Sequence, residues 1–472
     1  MERVLAASAA GLAASFWLER WKRPAPAAIA IHGAIFLCAF VLLAALYRRP
    51  ILAAGLALAS HLLVLMVHDA KRRTLGEPLL FSDYGLFSQM LRHPRLYLPY
   101  LRPLPALFAA IALAAALAAG LLLEASGLPA QAWAVMPLLA AGLFWIGCGL
   151  ARPALTLDPE QDVARLGLLA SGLLYWLAER RPIAQITPPA FLTGALPAAP
   201  GDRPDIVVIE CESFFDARRL HSGVPADLLR AFDALCAQGE SGRLAVPAWG
   251  ANTMRTEFAF LSGIAPERLG VHRFNPYRRY ARRPVPTIAS RLRDFGYRTV
   301  CIHPYPASFF ARDRVFPHLG FDEFADLAAF GGAPLDGPYV ADAAVAHKIG
   351  ATLQRLTQPA FVFAITMENH GPQHLEAGPG GDELAVYLRH LRNSDAMIGE
   401  VAEMLRSRGR DGVLCVFGDH VPSLPAVFAS AHFDDPRTEY LVWRTRGGAA
   451  ARGELRAEEL AALVLRAAGL AA

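Results

Sequence analysis

Charge is what the first third of this chain lacks. Four apolar runs, residues 27 to 46, 51 to 67, 104 to 123 and 132 to 150, contain no Asp, Glu, Lys or Arg. Each is near the ~20 residues that cross a ~30 Å hydrocarbon layer. His32 and His61 are the only groups in them that titrate near neutrality. That is too little to build an ion or proton pathway, so the runs read as an anchor and a transporter is disfavoured. Paired cysteines are missing as well. The six cysteines include no CxxC, which argues against a disulfide framework or a zinc knot and makes buried free thiols the expectation. No internal repeat or long low-complexity tract occurs, and no nucleic-acid partner is expected.

What is present is unevenly distributed. Residues 1 to 152 carry 13 Lys and Arg against 6 Asp and Glu, a balance of +7, so the net +4 of the whole chain leaves −3 for the remainder. A basic, membrane-like segment therefore precedes a near-neutral globular one. A fifth apolar run, 4 to 18, has the composition of a signal peptide, but Glu19, Arg20, Lys22, Arg23 and then another run follow at once. An uncleaved first helix is the better reading. The expected organisation is a transmembrane domain of about five helices over 1–152, an interfacial helix and Pro-rich linker over 153–204, and a catalytic domain over 205–472.

Orientation brings two rules into conflict. Five spans with a cytoplasmic N-terminus deliver the globular part to the outside. They also put Arg20, Lys22, Arg23 and the basic loop 69 to 103 outside, against the positive-inside tendency. A sixth crossing at 163 to 178 would invert this. Its apolar part runs only from Leu166 to Ala178, which suits a helix lying in the interface. The segment 180 to 205 is rich in Pro, Ala and Gly and reads as a linker.

From 205 onward, continuous apolar runs alternate with helical patterns such as 283 to 295 and 383 to 408, an α/β organisation with a mostly parallel central sheet. The residues after each run carry the chemistry. "DIVVIE" leads into "CESFFD", "YRTVCIH" into "PYPASFFARD", "AFVFAITM" into "ENHGP", and "GVLCVFG" into "DHVPSLP". Ligands of open α/β sheets bind beyond the carboxyl ends of the strands. Glu212, His303, His370, Asp419 and His420 are thus offered to one face. The stretch "PAWGANTMRTEFAFLSGI" adds Thr253 at the start of a helical pattern. Singly, each has a bland explanation as a cap or a surface histidine. Together, two carboxylates, a histidine and a hydroxyl suit one divalent cation such as Mn²⁺, Mg²⁺ or Zn²⁺. A threonine hydroxyl is a poor nucleophile unaided, and a dication together with a helix N-terminus supplies what it lacks toward a phosphoryl group.

In "ECESFFD", "GANTMRTEF", "HPYPASFFARD", "ENHGP" and "FGDH", taken in this order, the chain resembles the lipoteichoic acid synthase and phosphoglycerol transferase family, membrane members of the alkaline phosphatase and sulfatase superfamily. The resemblance implies Thr253 as nucleophile and Glu212, Thr253, Asp419 and His420 as ligands of one divalent metal, Mn²⁺ first among the candidates. It also implies His303, Phe310, Arg312 and His370 as substrate-binding residues. The arginine suits phosphate because its planar fork donates two bonds. The implied activity moves the phosphoglycerol headgroup of a phosphatidylglycerol-type lipid to a cell-envelope glycan, through a phosphoglyceryl-threonine. The implied location is the bacterial cytoplasmic (inner) membrane, with the catalytic domain on the extracytoplasmic side and the basic loop beside an anionic leaflet.

Two departures from the family stand out. Phe310 occupies a position where the family often has tryptophan. The nucleophile turn reads Asn-Thr-Met-Arg-Thr in place of the Gly-Lys-Thr-Ser-Asp of Gram-positive polymerases, which makes single transfer the expectation over polymerisation. No cysteine stands in the C/S-x-P-x-R setting that a formylglycine sulfatase requires. The alternatives are a metal-dependent phosphodiesterase or phosphatase, a phosphoethanolamine transferase using the same site, and a glycan-binding module without activity. The last is disfavoured because the nucleophile and every ligand are in place.

Overall fold

The computed structural model describes residues 2–19, 24–84, 103–127, 130–150, 153–194, 203–378 and 380–470. Arg20, Lys22 and Arg23, most of the basic loop 69 to 103, and residues 195–202 of the linker lie outside the described residues. The chain forms two compact units, Met1–Pro182 and Ile183–Ala472.

In the first unit all five apolar runs are helical: Glu2–Glu19, Pro26–Tyr47, Pro50–Leu75, Pro103–Leu123 and Ala130–Phe144, the last continuing as a π-helix to Leu150. Pro26 and Pro50 start their helices, where a missing N–H costs nothing. Pro26–Tyr47 and Pro50–Leu75 are long and apolar enough to cross a membrane by length and composition. Leu42, Leu46, Leu122, Leu138 and Trp145 stand exposed on this unit, a surface suited to lipid. Polar groups are gathered inside it instead. Glu19 lies 3.5 Å from His32 Nδ1 and 3.3 Å from His61 Nε2, and Ser15 bonds both imidazoles. The two histidines of the runs are thus locked to a carboxylate just past the first run. The proposed sixth crossing is not one helix. Asp158 caps Pro159–Leu166, Gly167 breaks the chain at φ 76°, and Leu168–Glu179 follows.

The second unit is built on a mixed sheet. Its strands are β1 (Asp205–Cys211), β2 (Glu240–Ala245), β3 (Arg298–Ile302), β4 (Glu323–Ala325), β7 (Ala360–Ile365), β8 (Gly412–Gly418), β9 (Thr438–Arg444) and β10 (Ala451–Arg456), with β5 (Leu335–Asp336) and β6 (Tyr339–Val340) forming a separate hairpin. The order is β10-β2-β9-β8-β1-β7-β3-β4, and β8, β1, β7, β3 and β4 run parallel. β1 is apolar from Ile206 to Ile209 because both its faces are covered. Ile206 and Val208 enter one core with Met254 and Phe258 of the helix Thr253–Ser262, while Val207 and Ile209 enter the other with Tyr387 and Ile398 of the helix Glu383–Ser407. The helix expected over 283 to 295 is shorter, Ile288–Asp294. Pro284 and Pro286 exclude helix before it, and Thr287 closes its start in a reciprocal capping box with Ser290.

Candidate active site

Four neighbouring parallel strands, in the order β8-β1-β7-β3, end on the same edge, and the segments following them carry Asp419 and His420, Glu212, His370 and His303. β8 meets the loop after β1 closely. A Cβ on Gly418 would stand 1.9 Å from the carbonyl oxygen of Phe214, so only glycine lets Asp419 come so near Glu212.

Glu212, Asp419 and His420 are all buried, and one ligand atom from each lies within 4.8 Å of the other two. Their hydrogen bonds show which atoms are spare. Asp419 Oδ1 accepts from the backbone N–H groups of Ser213 at 2.8 Å and His420 at 2.9 Å, whereas Oδ2 accepts none. His420 Nδ1 donates to the Val421 carbonyl at 3.0 Å, which leaves Nε2 as a bare lone pair. That lone pair lies 3.2 Å from Asp419 Oδ2 and 3.6 Å from Glu212 Oε1. Three candidate ligand atoms converge here, with Glu212 Oε1 also accepting from the Ser213 hydroxyl at 2.8 Å, an arrangement that suits a divalent cation. Burial, then the adjacent Asp419 carboxylate, hold the Glu212 carboxyl above the usual carboxylate range. The residues therefore fit a metal.

Thr253 is the first residue of the helix Thr253–Ser262. Asn252 precedes it in the left-handed region at φ 71° and makes no side-chain cap. The opening turn thus keeps N–H groups for an anion. The neighbouring hydroxyl has another task. Thr256 Oγ1 donates to the backbone carbonyl of Asp419 at 2.6 Å, tying this helix to the metal-ligand loop and not, as a helical threonine often does, to its own preceding turn.

The substrate-binding candidates form a second layer. Arg312 is buried and spends its fork on Glu257, with Nη2–Oε2 at 2.8 Å and Nε–Oε2 at 3.2 Å. Nη1 donates to His303 Nε2 at 3.3 Å, and His303 Nδ1 in turn donates to the Ile365 carbonyl at 3.1 Å. Burial, then the Arg312 charge, hold His303 well below its ordinary range, so it is neutral. Phe310, in a left-handed conformation at φ 54°, lies with its ring 5.2 Å from the guanidinium. His370 donates from Nδ1 to the Gly371 carbonyl at 2.7 Å, with the Tyr339 hydroxyl 3.4 Å away, and burial lowers its pKa.

Three residues of this neighbourhood, Glu257, Tyr277 and Glu210, escaped sequence reasoning. Glu257 holds Arg312 and accepts from the Tyr277 hydroxyl. Glu210 is fully buried with no hydrogen bond to either oxygen. Burial and then the Glu257 and Asp419 carboxylates push its pKa well up. A glutamate inside an otherwise apolar strand was the available signal. By alternation it falls on the face of Ile206 and Val208, toward the Thr253 helix.

With this geometry established, likeness to known proteins is informative. Residues 204–470 match the sulfatase family model. The chain is 32% identical over 441 residues to the capsular polysaccharide biosynthesis protein RkpI of Rhizobium meliloti, covering 87% of this chain and 80% of the relative. It is 26% identical over 140 residues to lipoteichoic acid synthase 1 of Bacillus subtilis, covering 26% of this chain and 21% of that one. The integral membrane lipooligosaccharide phosphoethanolamine transferase A of Neisseria meningitidis shares the fold at a TM-score of 0.56 and 13% identity, over 94% of this chain and 96% of that one. The family match and a relative aligned over most of both chains lead to one conclusion: this is a protein of the sulfatase family, with two helices of membrane-spanning length and composition ahead of the family domain.

Proposed function

We propose that the protein is a metal-dependent transferase that moves phosphoglycerol from a phosphatidylglycerol-type lipid to an envelope glycan, with its catalytic unit on the extracytoplasmic side of the inner membrane. The observation that carries this reading is the convergence of ligand atoms from Glu212, Asp419 and His420, joined through Thr256 to the helix that Thr253 opens. Bound there, a divalent cation, Mn²⁺ by family resemblance, would lower the pKa of a threonine hydroxyl and offset phosphate charge.

The chain's own residues then have distinct tasks. Thr253 Oγ gives up its proton to solvent and attacks phosphorus, the bond from phosphorus to the diacylglycerol oxygen breaks, diacylglycerol leaves as the alcohol with a proton from solvent, and a phosphoglyceryl-threonine remains. A glycan hydroxyl then takes the group and Thr253 is regenerated. Arg312, pre-aligned by Glu257, supplies fixed positive charge to the phosphate. His303, neutral with its proton on Nδ1, holds Arg312 from the other side. His370 keeps Nδ1 engaged with Gly371, leaving Nε2 to bond the glycerol or phosphate. The capsular polysaccharide relative supports a glycan acceptor, the lipoteichoic acid synthase supports phosphoglycerol, and the apolar helices support a lipid donor.

The test uses the full chain in vesicles of headgroup-labelled phosphatidylglycerol with Mn²⁺. Diacylglycerol release and a labelled adduct on Thr253 are expected, with label passing to added envelope oligosaccharide. Label appearing only as free glycerol phosphate would make the protein a hydrolase. Turnover of phosphatidylethanolamine in place of phosphatidylglycerol would make it a phosphoethanolamine transferase.

A further inference from the structure

A second group of metal-competent side chains lies apart from the Glu212 trio and takes no part in the chemistry above. Asp336 ends β5, Glu368 sits in the loop after β7, and His390 is on the helix Glu383–Ser407. One ligand atom from each lies within 4.8 Å of the other two. Glu368 and His390 are buried, and Asp336 is half-buried on the β5–β6 hairpin.

Charge is poorly balanced here. Four carboxylates, Asp336, Asp342, Glu368 and Glu376, face one fixed cation, Arg389, which bonds Asp336 at 3.0 Å and also pairs with Glu376. Even an imidazolium at His390 would leave the carboxylates of this cluster in excess over its cations. An independent observation points the same way. Asp342 is fully buried; Ser394 satisfies its Oδ2 at 2.6 Å, but Oδ1 has no partner. Its backbone N–H donates to Glu368 Oε2 at 2.6 Å, and the ionisable groups acting on its carboxylate are Glu368, His390 and Asp336, the same trio. A buried carboxylate oxygen is thus left without a partner on the residue whose backbone N–H bonds the ligand candidate Glu368. Such an orphan is costly unless a cation accompanies it.

The surroundings complete a metal-site pattern. His390 Nδ1 meets Glu368 Oε1 at 2.9 Å, and Nε2 meets Glu376 Oε2 at 3.0 Å, with Arg389 Nη2 also 3.0 Å from it. A carboxylate on the far nitrogen is what orients a ligating histidine and raises its basicity. The Asn393 amide touches Asp336 Oδ2 at 2.9 Å and Glu368 Oε1 at 2.6 Å, and a flip would present its oxygen as a further ligand.

We propose that Asp336, Glu368 and His390 form a second divalent-cation site, with Glu376 orienting the imidazole and Asp342 supplying outer negative charge. On binding, His390 Nδ1 gives up its proton to solvent and its lone pair to the metal, while Nε2–H donates to Glu376. The mixed oxygen and imidazole set selects an Mn²⁺ or Zn²⁺ class ion over Mg²⁺ or Ca²⁺. Its place explains what it does. Glu368 lies two residues before His370, and Tyr339 of the same hairpin as Asp336 stands 3.4 Å from His370 Nδ1. The ion would clamp hairpin, loop and helix beneath a proposed substrate residue.

The experiment is Mn²⁺ binding to metal-stripped full-length protein in detergent, read by paramagnetic resonance of free and bound ion. The wild type is expected to bind two ions per chain and Asp336→Asn one, with the lost site weakened more than ~10-fold. Asp336 is on a partly exposed hairpin, so this variant retains the fold. In an Asp419→Asn/His420→Gln background, which removes two ligands of the first site, one ion should remain and show ¹⁴N coupling from His390. Glu376→Gln should weaken that ion about 10-fold without abolishing it. A wild type that binds a single ion indifferent to Asp336→Asn, or a background variant with no bound ion, would overturn the site. Neither result depends on lipid turnover, so the second site and the transferase reading fail separately.

Discussion

Replacing Glu257 by leucine isolates the most deeply buried charge near the candidate active site. The Glu257 and Arg312 side chains are 0% and 1% exposed and share two good charge-assisted bonds. Removing one member of such a pair costs ~3–5 kcal/mol, because the survivor stays buried without a counter-charge. Tyr277 also loses its acceptor, adding roughly 1 kcal/mol. We expect Glu257→Leu to lose about 4 kcal/mol. Glu257→Leu/Arg312→Leu should recover most of that loss. It removes both charges and leaves only the Tyr277 hydroxyl and His303 Nε2 short of partners, a residual cost of roughly 1–2 kcal/mol. Glu210 is the available fallback counter-ion, since both residues act on it. Adding Glu210→Gln to Glu257→Leu should therefore destabilise further. The assay is pulse proteolysis of the full chain in micelles across a urea series. A Glu257→Leu loss below about 1.5 kcal/mol, or a double variant no more stable than the single, would refute the buried-pair reasoning.

Thr253→Ala should abolish turnover and the labelled adduct while leaving Mn²⁺ stabilisation of the fold detectable. Thr256→Ala should keep the adduct on Thr253 and lose ~1–3 kcal/mol of stability, as the buried Asp419 carbonyl loses its donor; mass spectrometry and thermal melts separate the two. Glu212, raised to about 8 in the metal-free protein, binds its proton more tightly folded than unfolded. Its contribution to metal-free stability is therefore full below the ordinary glutamate range near pH 4.5 and is lost as pH rises through about 8, whereas apparent metal affinity rises over that interval and levels off above it. Melts with and without Mn²⁺ from pH 5 to 9 check both signs, and stability that climbs with pH in the absence of metal would contradict them. For the membrane unit, a reporter active only outside the cytoplasm should work when fused after residue 205, and cysteines placed in loop 69 to 103 should label from outside. Activity of a cytoplasm-only reporter at that position would mean that the positive-inside rule governs this chain.

Much of the fold is written locally. Apolar runs of membrane length became helices, and β1, β7 and β8 stand where continuous Val, Ile and Phe runs lie, because a strand covered on both faces has no polar side to show. The candidate metal ligands were legible for a related reason. Polar residues that follow immediately on such strands must emerge at one sheet edge, wherever the strands themselves are ordered.

Other features depend on contacts between distant segments, which no local pattern encodes. Arg312 reads in sequence as a free phosphate clamp. Only the tertiary structure sets it against Glu257, 55 residues earlier in the chain. Glu19 looks like the edge of a first span, yet folding brings it to His32 and His61. Asp336, Glu368 and His390 come from a hairpin, a loop and a helix with no common motif, and their grouping arises only when the helix Glu383–Ser407 meets the loop after β7 and the hairpin. The sequence by itself determined which segments are apolar, where strands give way to chemistry, and which side chains are competent for metal and phosphate. The tertiary structure decided which of those side chains remain available, because a buried charge is costly without a partner and the partner's place in the chain is set by packing.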